Sequence, residues 1–250
     1  MNKKLLATIM VSVILVLVII FFFMFVIKKP VSKSLINENL SIGSDKNVSM
    51  SEIDRAVLAA PSSNELPPIG DADNVVGDLS AKVRLIVYEN ANDIYCAQLN
   101  RTLKEIKNVY GADVVFVFRP FIFSGDENSM IAAVAQSCAG EQGKFAEMRD
   151  LIIAHTESGL SNILDAKGLT DFANSLGLNK NKFASCLTNT KYQTAINAAM
   201  EKVKNSMVFG TPTTFINGEL VVGARAFEDG SDSNGNKLEG LNNIVARHLQ

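Results

Sequence analysis

Scarcity of positive charge, histidine and cysteine narrows the chemistry of this chain first. Its 250 residues carry 24 Lys and Arg against 26 Asp and Glu, and no window is densely basic. The electrostatic attraction to phosphates that dominates nucleic-acid affinity has no source here, so no nucleic-acid partner is expected. Two histidines are present, His155 and His248, and neither has a Cys or carboxylate at metal-ligand spacing. No zinc site and no cofactor are therefore expected, and His248 near the end of the final helix suits the helix dipole. Three cysteines, Cys96, Cys138 and Cys186, allow one disulfide and leave one thiol over. There is no internal repeat.

Apolar residues, by contrast, make up 47% of the chain, enough for a packed core. They also form one uncharged run at residues 5–27, LLATIMVSVILVLVIIFFFMFVI. As a helix it extends roughly 35 Å, enough to cross a bilayer core. The run is too long for a signal peptide, and Lys28-Lys29-Pro30 follows it in place of a cleavage pattern, which predicts an uncleaved anchor. Lys3 and Lys4 on one side and Lys28, Lys29 and Lys33 on the other leave the orientation open by charge. The reading divides the chain into an anchor (residues 1–29), a tether (30–69) rich in Ser, Asn, Asp and Pro, and a folded domain (70–250). In the tether, Ser49 and Glu52 are spaced as a capping box and Val48 and Ile53 as a hydrophobic staple, predicting one short helix that ends before Pro61.

Within the domain, VRLIVY (83–88) and VVFVF (114–118) read as strands buried on both faces. Between them Leu99, Leu103, Ile106 and Tyr110 recur at spacings of three and four. That stripe, extended backwards, lands on Cys96 and turns it to the core. Strand, helix, strand predicts a parallel pair. After Pro120 the pattern is helical to about residue 209, with stripes Ile131, Val134 and Cys138; Phe145, Met148 and Ile152; Phe172 and Leu176; and Phe183, Cys186 and Leu187. A fifth, longer stripe runs through Tyr192, Ile196, Ala199, Val203 and Met207. Strand character returns at 213–216 and 220–222 around Asn217-Gly218, a dipeptide suited to tight hairpins, and a last helix occupies about 238–249. The result is an α/β domain whose small sheet is half parallel and half antiparallel. Asp126 and Glu127 serve as first-turn acids, and EDGSDSNGNKLEG (228–240) lacks the ligand order of a calcium loop and reads as a polar loop.

Cys138 and Cys186 both fall on apolar stripes of neighbouring helices. Two readings stand. A bond between them stabilises the fold by roughly 4 kcal/mol and points to an oxidising compartment; without it they are two buried thiols acting as small hydrophobes.

Three runs carry a family resemblance: QSCAGEQGKFAEMRDLI (136–152), LTDFANSLGLNKNKFASCL (169–187) and GTPTTFING (210–218). They resemble, in order and placement, the DsbA-like family of bacterial thiol-disulfide oxidoreductases, over about residues 70–222. The resemblance implies a thioredoxin-like α/β fold with an all-helical insertion (about 120–209) behind a single transmembrane helix. It also implies that the domain is extracytoplasmic, on the outer side of the cytoplasmic membrane, with the amino terminus inside.

In that family the helix after the first central strand opens with Cys-x-x-Cys. Aligning TLKEI (102–106) places the motif on Asp93-Ile94-Tyr95-Cys96, so the attacking cysteine is an aspartate and the second cysteine remains. Aspartate is a favoured N-cap and holds the helix start without a thiolate. Its charge, added to burial, disfavours ionisation of Cys96 and predicts a sluggish thiol. Read from residues alone, Pro212 starts an edge strand. The resemblance makes Thr211-Pro212 a cis-proline loop that, with Ile94 and Tyr95, contacts a substrate polypeptide. Two functions follow from the resemblance. One is a polypeptide-binding or chaperone-like module for extracytoplasmic polypeptides, with room for a membrane redox partner. The other is a monothiol oxidoreductase or isomerase using Cys96.

Overall fold

A computed structural model describes residues 66–70, 73–159, 164–203 and 206–250. The anchor at 5–27 and the tether helix near Ser49 and Glu52 lie outside the described residues. Among the described residues no helix is long and apolar enough to cross a membrane.

The chain runs β1 (Asn74–Val76), β2 (Val83–Glu89), α1 (Ile94–Tyr110), β3 (Val114–Pro120), α2 (Glu127–Gly140), α3 (Phe145–Glu157) and α4 (Ala166–Ser175). It continues through α5 (Lys180–Leu187), α6 (Thr190–Val203), β4 (Thr213–Ile216), β5 (Glu219–Val222), β6 (Gly230–Ser231), β7 (Lys237–Leu238) and α7 (Leu241–Leu249). The main sheet has the order β1-β3-β2-β4-β5, in which β2 and β3 are parallel and the other neighbours antiparallel. Half parallel is thus corrected to one parallel pair in four, because the short edge strand β1 joins β3 and because β4 lies directly against β2. Strand β1 is only three residues long and half-buried throughout, too short for a periodicity to register.

One face of the sheet packs Val83, Leu85, Val87, Phe116, Phe118 and Ile216 against Leu99, Leu103 and Ile106 of α1 and Leu241, Ile244 and Val245 of α7. The other face is covered at one end, where Tyr88 and Phe215 meet Val203 and Val208. That partial cover corrects the expectation for β2: Arg84 is exposed and Ile86 only half-buried, whereas β3 is buried until Pro120. A separate core unites the insertion, with Ala135, Cys138, Met148, Ile152, Leu169, Phe183 and Ile196 packed around Ala97 of α1.

Helix α6 ends at Val203, so Met207 lies beyond it. The Ser206 hydroxyl and its own N–H both donate to the Val203 carbonyl, which satisfies a terminal acceptor and turns the chain. The Asn217-Gly218 hairpin forms as expected, with φ of 47° and 94°, and the Asn217 side chain locks it to Arg84 and Lys82. Residues 228–240 contain the small β6–β7 ladder, and Leu238 belongs to it rather than to α7. The last helix begins after Gly240, where a Cβ would lie 2.4 Å from the Phe227 carbonyl oxygen; only glycine fits that approach.

Candidate functional site

Strand β2 hands the chain to α1 through a tight turn at one end of the sheet. The Asn90 side chain accepts from the Asn92 N–H, and the Asp93 N–H donates to the Asn90 carbonyl. Asp93 is extended (φ −105°, ψ 128°), and its Oδ1 accepts from the Tyr95 N–H at 2.9 Å, so it is the N-cap of α1. Cys96 follows within the first turn and is 1% exposed. Its thiol lies 3.7 Å from Asp93 Oδ2 and 3.4 Å from the Asn90 N–H. From the other side, the Thr211 hydroxyl donates to the same Oδ2 at 2.6 Å. Thr211-Pro212 is a cis peptide. One carboxylate therefore joins the helix start, the thiol and the proline turn.

The thiol is held well above its ordinary pKa. Burial is the largest cause, the charge of Glu89 comes next among those that raise it, and Asp93 contributes less. The Asn90 N–H and the Thr211 hydroxyl pull the other way without reversing the direction. Sequence reasoning assigned the electrostatic part to Asp93 alone and missed Glu89. Both Glu89 carboxylate oxygens accept from Arg149, each at 2.6 Å. The same guanidinium donates to Asn100 Oδ1 at 2.7 Å and lies 3.9 Å over the Phe118 ring. Glu89, Asn100 and Arg149 are all buried, which ties β2, α1 and the insertion helix α3 together beneath Cys96. The signal was present: Glu89 ends an otherwise apolar strand, and Arg149 stands three residues before Ile152 and four after Phe145 on the buried stripe of α3.

Ile94 and Tyr95 are 45% and 59% exposed beside the buried thiol, while Thr211 is half-buried and Pro212 buried. Cys138 and Cys186 are bonded, with an S–S distance of 2.04 Å. The bond joins α2 to α5, and Cys138 belongs to the insertion core. Asp126 caps α2 and Glu127 begins it, as expected of first-turn acids. Among the described residues no group of His, Cys, Asp and Glu is arranged to hold a metal ion. A groove of about 780 Å³ lies elsewhere, between β1 and helices α2, α3 and α6, lined in part by Tyr88, Arg119 and Tyr192. It includes none of Asp93, Cys96 and Pro212, and the Arg119–Asp73 ion pair in it is closed at 2.7 Å. Asp93, Cys96, Thr211 and Pro212 lie together at the proline turn instead.

A family model described as thioredoxin matches residues 71–232. A curated relative, the Na(+)/H(+) antiporter NhaA 1 of Salinispora arenicola, is 29% identical over 61% of this chain. The match spans 23% of the antiporter's length, so most of that protein has no counterpart here. Among solved structures, Wolbachia pipientis α-DsbA1 is 20% identical with a TM-score of 0.56, covering 73% of this chain and 92% of that one. Oxidised BdbD of Bacillus subtilis is 17% identical with a TM-score of 0.53, covering 73% of this chain and 95% of that one. At these identities the two structures speak for the fold alone.

Proposed function

Because the chain belongs to the thioredoxin family, we propose that it is a DsbA-like relative of the thiol-disulfide oxidoreductases that keeps their polypeptide site while lacking dithiol exchange. In this reading Asp93 occupies the place of the attacking cysteine, and Cys96 is the resolving thiol left behind it. The domain then binds extracytoplasmic polypeptides in a chaperone-like role, held to the cytoplasmic membrane by residues 5–27 with the amino terminus inside.

The observation that carries the reading is the 2.6 Å hydrogen bond from Thr211 to Asp93 Oδ2, with the Cys96 thiol 3.7 Å from that oxygen. Disulfide exchange needs a thiolate that can reach an incoming sulfur. Here the residue facing the proline turn has no sulfur, and the sulfur present is buried, has its pKa pushed up by that burial, and lies beside a carboxylate. The bond between Cys138 and Cys186 supports an oxidising compartment for the domain.

An Asp93→Cys variant tests the assignment. If Asp93 stands in for the lost nucleophile, the variant, isolated with its new sulfur joined to Cys96 as a disulfide, should oxidise a reduced dithiol peptide stoichiometrically and be left as the dithiol, while the parent chain does not. With glutathione disulfide supplied as oxidant, oxidation of the peptide by the parent that Cys96→Ser abolishes would establish the monothiol enzyme instead, Cys96 passing through a mixed disulfide with glutathione. An inactive, well-folded Asp93→Cys protein would remove Asp93 from the nucleophile's position.

A further inference from the structure

Four of the six large apolar side chains exposed among the described residues belong to segments at the sheet end that carries the proline turn, the other two being Leu79 and Val109. Strands β2 and β3 run parallel, with Glu89 opposite Pro120, and β4 runs against β2, with Thr213 opposite Tyr88. The segments after β2, after β3 and before β4 therefore emerge together. They carry Ile94, Tyr95, Phe123 and Phe209, the last two 56% and 78% exposed. The Phe121–N–H bond to the Glu89 carbonyl holds the second segment against the first, and Phe121 meets Phe123 edge to face. Leaving such side chains in water on four positions of one end marks a docking face.

That face has an acidic border among the described residues. Asp93, Asp126 and Glu127 border it, and no ion pair neutralises any of them among the described residues. Asp126 is drawn to the turn through Ser129, whose hydroxyl donates to it and accepts from Asn90 and, more weakly, Asn92. A carboxylate offers about four acceptor positions. Asp93 uses three of them, two on Oδ2 for Thr211 and Cys96 and one on Oδ1 for Tyr95, leaving a position on Oδ1 of a half-buried anion.

We infer that this face binds extended polypeptide segments in which a Lys or Arg is flanked by apolar residues, the cation pairing with Asp93 and the apolar side chains covering Ile94, Tyr95 and Phe209. The inference rests on the polypeptide-binding reading above and names the class of segment that site takes. A cationic side chain fills the remaining acceptor position and complements the border, whereas an acidic one meets three like charges.

The test is fluorescence anisotropy of the full-length chain with three labelled, unstructured peptides of one apolar sequence whose central residue is Lys, Ser or Glu. The Lys peptide should bind about fivefold more tightly than the Ser peptide, and the Glu peptide more weakly than either. The difference should shrink on going from low to physiological ionic strength. Asp93→Asn, which retains a capping side chain, should bring the Lys peptide down to the affinity of the Ser peptide. Glu127→Gln, on an exposed first-turn residue, should reduce the preference about twofold. Equal affinity for all three peptides would overturn the cation preference and leave polypeptide binding standing. A preference undiminished in both variants would place its source elsewhere and overturn the assignment. No binding of any peptide would bring down both readings.

Discussion

Replacing Arg149 by methionine isolates the buried polar network beneath the thiol. The substitution keeps a long apolar stem but removes both 2.6 Å hydrogen bonds to Glu89, the 2.7 Å bond to Asn100 and the guanidinium stacked 3.9 Å from the Phe118 ring. What remains is a carboxylate on a residue 4% exposed, with no cation to balance it. Removing one partner of such a buried pair costs about 3–5 kcal/mol, mostly the penalty of the orphaned charge. For a domain of this size that lowers Tm by roughly 6–20 °C. The double variant Glu89→Gln with Arg149→Met removes the charge as well, and it should regain most of the loss. Urea unfolding of the parent, both single variants and the double variant closes a thermodynamic cycle. A loss below about 1 kcal/mol for Arg149→Met, or a double variant no more stable than that single one, would show that the pair does not hold the insertion to the sheet.

Other perturbations have equally definite outcomes. Reducing the Cys138–Cys186 bond opens a link across a sequence separation of 48 residues and should cost about 4 kcal/mol in urea unfolding; a loss under about 1 kcal/mol would show that the insertion core alone fixes α2 to α5. Asp93→Ala removes a cap and leaves Thr211 without its acceptor, for a loss of about 1–2 kcal/mol, whereas Asp93→Asn should lose only a few tenths. Equal losses for the two would contradict the capping role. The pH dependence follows from the raised pKa of Cys96, whose ordinary value is 9.0. Above about pH 9 the unfolded chain has released this proton while the folded chain retains it. The thiol's contribution to stability is therefore fully present below that pH and declines as pH rises, by up to about 1.4 kcal/mol per unit. Cys96→Ala should lack this part of the alkaline decline, and parallel curves for parent and variant between about pH 8 and 10 would contradict the burial of the thiol.

Element order was legible where periodicity was strong. Leu99, Leu103 and Ile106 marked the buried stripe of α1 and put Cys96 on it, and the structure buries all four. Asn217-Gly218 marked its hairpin because both positions need a positive φ. Strand β1 and the two-residue strands β6 and β7 were not legible, since their ladders are shorter than any pattern that could announce them. At the site, Asp93, Cys96, Thr211 and Pro212 were identified through resemblance, and their mutual distances could not be, because Thr211 meets Asp93 across 118 residues of sequence. Glu89 and Arg149 escaped because a sequence reading treats charge as surface; the pairing that lets both be buried exists only after folding. The exposed Phe123 and Phe209 escaped for the converse reason, since phenylalanine reads as core.

The reactivity of Cys96 toward a small alkylating reagent decides between a silent thiol and a working one. With Cys138 and Cys186 bonded, Cys96 is the one free thiol of the chain, so mass spectrometry after timed exposure to iodoacetamide reports on it alone. A buried thiol with a raised pKa should stay unmodified in the native protein at neutral pH and react fully once the chain is unfolded. Rapid modification of the native protein near neutral pH would mean that a thiolate is accessible at the proline turn, and the account of a silent, buried thiol would be contradicted.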